Sequence, residues 1–251
     1  MMGKAIGKNS AKSEILRKAM HMVLTLLLLI PLTPFYRTIF SYFQQFSIDP
    51  TLLTYSILLF IFSLINSIQI KLPHIEETIA SISREHRKRF VDYISENFAN
   101  TSLSEFVKGI EKIISKYENQ LLAFMNIIER DYEKKYGYVS VTFALISVFL
   151  SYTLWKDFTY VGILALSIVD GLTSLISTID KRSKKIFKHT LFAYAVAIMA
   201  FSILTYLITH KPLLSIVISI VTVIIEMISP EDNLTLPLLT TTLFSILNNM
   251  M

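Results

Sequence analysis

Four ionisable side chains occur at helical spacing just before the first long apolar run of the chain. At offsets of 0, 3, 4 and 7, they are Glu14, Arg17, Lys18 and His21. A helix presents such positions on one stripe, and the apolar run 22–31 puts this stripe where water meets hydrocarbon. A positively charged membrane anchor would explain Arg17 and Lys18 but gives no role to Glu14 and His21. The pattern leaves two interpretations open, an anchor and a site for chemistry at the membrane surface.

Two carboxylates are predicted to lie inside later apolar runs. Asp170 stands among hydroxyl side chains at offsets of −3, +3, +4 and +7, which are Ser167, Thr173, Ser174 and Ser177. Glu226 belongs to a similar seam with Ser215, Ser219, Thr222 and Ser229. An acid at membrane depth costs roughly 2.5–3.5 kcal/mol, so it is expected to face a bundle interior or a wet cavity. Hydrogen bonds between helices are the structural alternative, but polar groups in that role are usually neutral. The charges therefore favour function.

A third acid and a group of cations add to this chemistry. Asp232 follows Pro230 at the start of the last apolar run, where it suits both a helix N-cap and a metal ligand. Five cations lie in the segment 180–188, namely Lys181, Arg182, Lys184, Lys185 and Lys188. Carboxylates that hold Mg²⁺, with cations that neutralise phosphate charge, are what phosphoryl transfer requires. The sequence contains no Gly-rich phosphate loop of the soluble nucleotide-binding folds.

Composition points to a lipid environment. Of the 251 residues, 53% are hydrophobic and only 17% are charged, whereas soluble domains carry about 25% charged residues. The mean hydropathy is +0.53. The chain has no cysteine, which excludes disulfides, thiolate catalysis and Cys-based metal sites. The net charge of +5 comes mostly from segments that border apolar runs. This location indicates topology signals and headgroup contacts, so we expect no nucleic-acid partner.

Apolar runs long enough to cross a bilayer as helices recur along the chain. The candidate spans are 19–34, 51–70, 138–155, 159–179, 189–209, 212–229 and 234–250. We therefore expect an all-α, polytopic integral membrane protein with about seven transmembrane helices. Residues 1–251 would form a single catalytic domain. Between spans 2 and 3, segment 71–137 has the 3–4 apolar spacing of amphipathic helices and predicts a helical hairpin inserted within this domain.

The distribution of Lys and Arg predicts the orientation. The segment before the first span and the segment 180–188 are rich in cations, whereas 35–50 holds only Arg37. The positive-inside rule then puts the N-terminus in the cytoplasm and the C-terminus on the opposite side. The Glu14 stripe, the hairpin in 71–137, segment 180–188 and Asp232 would all share the cytoplasmic face. Orientation alone would gather the candidate chemistry on one side of the membrane.

In chain order, these segments resemble the motifs of a known family. Glu14–His21 resembles the E-x-x-R-K-x-x-H motif of the CTP-dependent lipid kinases, and 129–137 resembles their acidic–basic run before a span. Leu166–Ser174 is similar to their LSxGDxxAS stretch, and Glu226 with 232–237 resembles their E…DNxxxP signature. The family includes dolichol kinases, phytol kinases and the yeast-type CTP-dependent diacylglycerol kinase. It is related to the CDP-diacylglycerol synthases.

The chain departs from the family pattern in the nucleotide region. Val169 stands where the family usually has Gly, and the glycines expected after Ser174 are absent. In place of the family's K-(S/T)-x-E-G element, Lys188 is followed by His-Thr-Leu-Phe-Ala. These differences leave open whether CTP or another nucleotide is the donor.

The resemblance implies roles for the acids and for His21. Asp170 and Asp232 would hold Mg²⁺, or another divalent cation, together with the phosphates. Glu226 would be a nearby acid. His21 would act as general base, since an imidazole titrates near neutrality. The spacing from Glu14 suits a structural His–Glu pair equally well.

The resemblance also implies a phosphate-binding set. Its members are Arg17, Lys18, Lys181, Arg182, Lys185, Lys188 and Asn233. Glu14 and Ser174 would support them.

We therefore expect an integral membrane kinase that moves the terminal phosphate of a nucleoside triphosphate to a long-chain isoprenoid alcohol. CTP is the first candidate for the donor. The lipid alcohol would enter from the bilayer and the nucleotide from the cytoplasm. A diacylglycerol or dialkylglycerol kinase and a CDP-lipid synthase-like cytidylyltransferase are the alternative enzymes. An ion-coupled transporter is the alternative from another class, although no duplicated halves are visible in the sequence. The sequence leaves the oligomeric state open, a homodimer included.

Overall fold

The computed structural model describes residues 2–72, 75–98, 102–128, 137–180 and 182–250. In chain order, the α-helices are α1 (Met2–Leu27), α2 (Pro34–Ile39), α3 (Pro50–Lys71), α4 (Ile75–Asn97), α5 (Ser102–Ile128), α6 (Val139–Trp155), α7 (Thr159–Ala165), α8 (Gly171–Ile179), α9 (Leu191–Thr209), α10 (Pro212–Ile228) and α11 (Asp232–Met250). A π-helical turn, Leu166–Asp170, joins α7 to α8, and 3₁₀ turns span Ile30–Leu32, Ser41–Phe46 and Lys156–Phe158. The prediction of a helical fold is confirmed.

A small β-hairpin interrupts the helices at the end of the basic segment 180–188. Strand β1 (Lys185–Ile186) pairs antiparallel with β2 (His189–Thr190). Phe187 occupies the turn between them with a φ of 57°, which is uncommon for a bulky residue. The side chain of Thr190 then caps α9 by accepting a hydrogen bond from the Ala193 amide at 3.3 Å. The hairpin therefore fixes the backbone of the basic segment directly before a long apolar helix.

The chain divides into two compact units. The first comprises Met1–Ile65 and Val139–Met251, and the second comprises Asn66–Tyr138. The core of the first unit contains fully buried side chains from α7, α9, α10 and α11 and from the π-helical turn, among them Val161, Val169, Phe201, Ile218, Leu236 and Phe244.

Several helices have the length and composition of membrane spans. Among the described residues, four segments qualify: Glu14–Leu32, Pro50–Lys71, Val139–Ile179 and Leu191–Thr209, with Pro212–Ile228 as a shorter apolar helix. Large apolar side chains on these helices are exposed, including Phe60, Met199 and Leu207. Exposed apolar surface on such helices suits a lipid environment better than water. The prediction of a membrane protein is supported at this level, and the number of seven spans stays a prediction.

The first span differs in detail from the predicted 19–34. Helix α1 ends at Leu27 and gives way to the turn that contains Pro31. Two α3 side chains bind the carbonyls that this ending leaves unpaired. The Tyr55 hydroxyl donates to the Leu28 carbonyl, and the Thr51 hydroxyl donates to that of Pro31, both at 2.7 Å. The break in α1 is thereby satisfied without water, as an apolar surrounding requires.

Helix α11 contains Pro237 in its interior, and this residue lacks the amide hydrogen that a helix interior needs. Ser147 of α6 repairs it from outside. Its hydroxyl accepts a hydrogen bond from the Leu238 amide at 3.1 Å and donates one to the Leu234 carbonyl at 2.6 Å. Gly162 of α7 lies against the same turn, where an added Cβ would be 2.3 Å from the Pro237 carbonyl oxygen. Helices α6, α7 and α11 are therefore locked together at this point.

The second unit contains α4 and α5, at the positions where the sequence predicts helices. Its contacts are polar, because Arg84 and Arg87 of α4 pair with Glu118 of α5, and Arg87 also pairs with Glu111. Burial raises the pKa of Glu118, but hydrogen bonds from Arg87 and Arg84 outweigh it and hold this pKa below its usual value. The apolar stripe of α5 is exposed at Phe106, Ile113 and Tyr117, among others. The cytoplasmic location of this helix pair stays a prediction.

Candidate functional site

The candidate site begins at the π-helical turn, which presents Asp170. The carboxylate is 6% exposed although the surrounding helix is apolar, and π-helical turns occur frequently at functional sites. Helix α1 packs against this turn very closely. The Ser167 hydroxyl donates to the Met22 carbonyl at 3.1 Å, and a Cβ on Gly171 would come within 2.4 Å of the Met22 side chain. The glycine therefore allows α1 to bring its ionisable stripe to Asp170.

Two members of the α1 stripe contact Asp170. Lys18 Nζ lies 3.4 Å from one carboxylate oxygen, and His21 Nε2 lies 3.4 Å from the other. Arg17 and Glu14, the remaining members, are 4.0 Å apart. The stripe predicted from spacing thus supplies an ammonium and an imidazole to a buried carboxylate, which lies 152 residues after Lys18 in the chain.

Glu226, near the end of α10, is the second buried carboxylate. Its side chain is 0% exposed. His189 Nε2 from the β-hairpin lies 3.0 Å from Glu226 Oε1, and neither carboxylate oxygen has a hydrogen-bond partner among the described residues. The Lys188 ammonium binds the backbone carbonyl of Glu226 at 3.0 Å. The hairpin therefore covers the end of α10 with a lysine and a histidine.

Asp232, at the start of α11, is the third acid. Lys188 Nζ contacts both of its carboxylate oxygens, at 2.7 and 2.9 Å. Asp232 lies outside the predicted spans. Burial is the main cause that raises its pKa to about 6; the Lys188 ammonium opposes this shift, and the carboxylates of Asp170 and Glu226 add to it. Asp170 and Glu226 therefore lie close enough to Asp232 for their negative charges to affect its pKa.

Three ligand-type side chains are close enough to share a cation. One atom each from Asp170, His189 and Glu226 can be chosen so that all lie within 4.8 Å of one another. The buried carboxylate oxygens of Glu226 accept no hydrogen bond from the described residues, and a positive charge beside them would offset the cost of burial. The donor set therefore fits a divalent cation. Asp232, a metal ligand by the resemblance, is instead bound to Lys188.

The other predicted phosphate-binding residues lie around this cluster. Arg182 and Lys185 are exposed on the hairpin side, and Lys181 lies outside the described residues. The Asn233 amide donates to the Glu231 carboxylate at 3.2 Å. Ser174 is buried on α8, one turn after Asp170. Within the described part of the chain, Lys18 contacts Asp170 and Lys188 contacts Asp232, whereas Arg182 and Lys185 face solvent.

His189 is the residue that sequence reasoning missed. It follows Lys188 in the basic segment, and the only available signal was an imidazole beside a lysine at the start of an apolar run. The two-residue turn of the hairpin directs it to Glu226, and neither the turn nor this partner follows from spacing.

No family model, curated protein or solved structure matches the chain. The class that the fold and site define is accordingly a helical protein with membrane-length apolar helices and a buried cluster of acids, lysines and imidazoles.

Proposed function

We propose that this protein is an integral membrane kinase that transfers the terminal phosphate of a nucleoside triphosphate to a long-chain isoprenoid alcohol, with CTP as the first candidate for the donor. The observation that carries the proposal is the cluster in which Asp170 meets Lys18 and His21 while Lys188 meets Asp232. Phosphoryl transfer needs carboxylates for a cation, fixed positive charge for the phosphates, and a base near the acceptor. The carboxylates, ammonium groups and imidazoles of the cluster would serve these three purposes.

The roles follow from the contacts. Asp170 and Glu226 would hold the divalent cation, which when bound neutralises charge on the phosphate oxygens. Lys18 and Lys188 each contact a carboxylate now, and they would shift toward the phosphates when these enter. His21 would accept the proton of the acceptor hydroxyl, with Asp170 orienting its imidazole.

The membrane arrangement is part of the proposal. We propose seven spans, the N-terminus and the cluster on the cytoplasmic side, and the C-terminus on the other side. Residues 1–251 would be one catalytic domain with 71–137 as a cytoplasmic insertion. The acceptor would arrive sideways from the bilayer, since the exposed surfaces of α3 and α9 are apolar, and its hydroxyl would meet the nucleotide at the cytoplasmic rim.

The deciding experiment separates the kinase from the cytidylyltransferase. Purified protein is incubated with Mg²⁺ or Mn²⁺ and with γ-labelled or α-labelled CTP, or with γ-labelled ATP. The acceptors are a polyprenol, a diacylglycerol and phosphatidic acid. We expect label from the γ position in the polyprenol. Label in lipid from the α position alone, with release of pyrophosphate, would assign a cytidylyltransferase instead.

The matched variants are Asp170→Asn and Asp157→Asn. Asp170 is buried in the cluster, whereas Asp157 is exposed and pairs with Arg37. Loss of preorganised electrostatic stabilisation costs about 10²–10³ in rate, so Asp170→Asn should lower transfer to this extent and Asp157→Asn should leave it unchanged. Wild-type transfer in Asp170→Asn, or absence of lipid label under every condition, would reject the proposal.

A further inference from the structure

We infer that the cation site takes a first-row transition-metal dication with an imidazole ligand, for which Mn²⁺ is the probe, and that Asp170, His189 and Glu226 hold it. The inference rests on the proposed function for the role of the cation. The assignment of the three ligands, however, depends only on the geometry of this cluster.

The separations of the ligand atoms suit one shared ion. Metal–ligand bonds to nitrogen and oxygen are roughly 2.0–2.6 Å long, so two ligands of one ion lie no more than about 4–5 Å apart. The three side chains satisfy this limit, with candidate ligand atoms within 4.8 Å of one another. They come from three elements, which are the π-helical turn, β2 and α10.

Contacts at the site favour a metal over a simple ion pair. His189 Nε2 and Glu226 Oε1 are 3.0 Å apart, yet Oε1 and Oε2 of Glu226 have no hydrogen-bond partner among the described residues. A buried carboxylate left in this state is costly. An ion between Glu226, His189 and Asp170 would satisfy these oxygens and also reduce the repulsion between the two carboxylates.

The neighbours of His189 hold it in a ligand position. Its backbone is paired with Ile186 in the hairpin, and its ring packs edge-on against Tyr194, with centroids 5.9 Å apart. The side chain is 15% exposed. Lys188, the residue before it, is occupied by Asp232, so Asp232 is neutralised by an ammonium and is left out of the ligand set.

The nitrogen donor decides the kind of metal. Mg²⁺ prefers oxygen ligands in near-ideal octahedral geometry, whereas imidazole suits the transition metals and carboxylates accept Mn²⁺ as readily as Mg²⁺. One imidazole with two carboxylates therefore favours a transition-metal ion. We expect tighter binding of Mn²⁺ than of Mg²⁺, and a preference that depends on His189.

The test detects the nitrogen ligand directly. The full chain is purified in detergent, treated with a chelator and titrated with Mn²⁺, and bound ion is measured from the loss of the free-ion electron spin resonance signal. Electron spin echo modulation then reports ¹⁴N coupled to the bound Mn²⁺. The variants are His189→Gln and, as matched control, His210→Asn. His210 is an exposed histidine with a φ of 56°, a conformation that Asn tolerates.

We expect ¹⁴N modulation in the wild type and in His210→Asn, and none in His189→Gln. Loss of a partner one shell outside the metal already costs at least about tenfold in affinity, so His189→Gln should weaken Mn²⁺ binding by that factor or more. The thermal unfolding temperature of each variant shows that it is folded. Modulation that persists in His189→Gln would assign the nitrogen to another histidine, and would overturn the inference, as would Mn²⁺ binding without ¹⁴N modulation or no Mn²⁺ binding.

These results are independent of the kinase assay. Imidazole-bound Mn²⁺ without lipid phosphorylation would keep the metal site and reject the proposed function. Lipid phosphorylation without ¹⁴N modulation would keep the function and reject His189 as a ligand.

Discussion

Lys188 has two partners at once, the Asp232 carboxylate and the Glu226 backbone carbonyl. Its side chain is about one-third exposed and that of Asp232 less so, so water screens the pair only in part. Removing the ammonium leaves Asp232 close to two other carboxylates. The residue therefore fastens the hairpin to the start of α11 and offsets local negative charge.

We predict that Lys188→Met destabilises the protein by about 1.5–3 kcal/mol, the range for a lost hydrogen bond to a charged group. Asp232→Asn removes the charge that Lys188 neutralises, so the double variant should be less destabilised than the sum of the single variants. Thermal and denaturant unfolding in detergent measure the four proteins of this cycle. Additive effects of the two substitutions would contradict the coupling.

The site residues differ in how far the sequence could predict them. Asp170 and Glu226 could be predicted as site residues because a carboxylate inside an apolar run is costly and indicates a function. Asp232 is visible through its position before the last run. The contact of His189 with Glu226 could not be predicted from the sequence, because it depends on how the two-residue turn of the hairpin orients the His189 side chain.

At the scale of the elements, apolar runs predict where helices lie but not where they are interrupted. At the end of α1 before Pro31 and at Pro237 within α11, side chains of a neighbouring helix bind the backbone groups that the local sequence leaves unpaired. Ser147 of α6 illustrates this dependence, since its hydroxyl accepts a hydrogen bond from the Leu238 amide of α11. Local pattern carries no information about such a partner.

We predict that Gly162→Ala destabilises the protein by about 1–3 kcal/mol, the usual cost of overpacking. An added Cβ would be 2.3 Å from the Pro237 carbonyl oxygen, and this backbone atom cannot move without disturbing the contact between α7 and α11. Gly109→Ala is the matched control. Nothing lies within 4 Å of its added Cβ, so it should stabilise α5 by roughly 0.5–1 kcal/mol.

Unfolding temperatures of the two glycine variants, measured side by side in detergent, check this prediction. A stability of Gly162→Ala equal to or above that of the wild type would show that α7 and α11 can separate at no cost. A destabilised Gly109→Ala would show that α5 is covered there.

At the scale of the whole molecule, the arrangement in the membrane decides whether the cluster can meet a cytoplasmic nucleotide. Four segments have the length and composition of spans, whereas the sequence predicts seven by separating 138–155 from 159–179 and counting 212–229 and 234–250. The difference arises because Val139–Ile179 counts as one segment, α10 has only 17 residues, and α11, with 19 residues, is rich in hydroxyls. Length and hydropathy do not decide whether such helices cross the membrane. The side of the membrane on which each connecting segment lies does decide it.

We predict that Lys185 and Asn249 lie on opposite sides of the membrane, because three spans separate them if α9, α10 and α11 all cross. The chain has no cysteine, so single substitutions at these exposed positions give an unambiguous signal. In intact cells, a membrane-impermeant maleimide should label Asn249→Cys and the control Asp157→Cys, whereas Lys185→Cys should react only after permeabilisation. Labelling of Asn249→Cys only after permeabilisation would leave α11 or α10 outside the set of spans. Labelling of Lys185→Cys in intact cells would put the acid cluster on the outer face, away from cytoplasmic nucleotide, and would remove the topological basis of the proposed kinase.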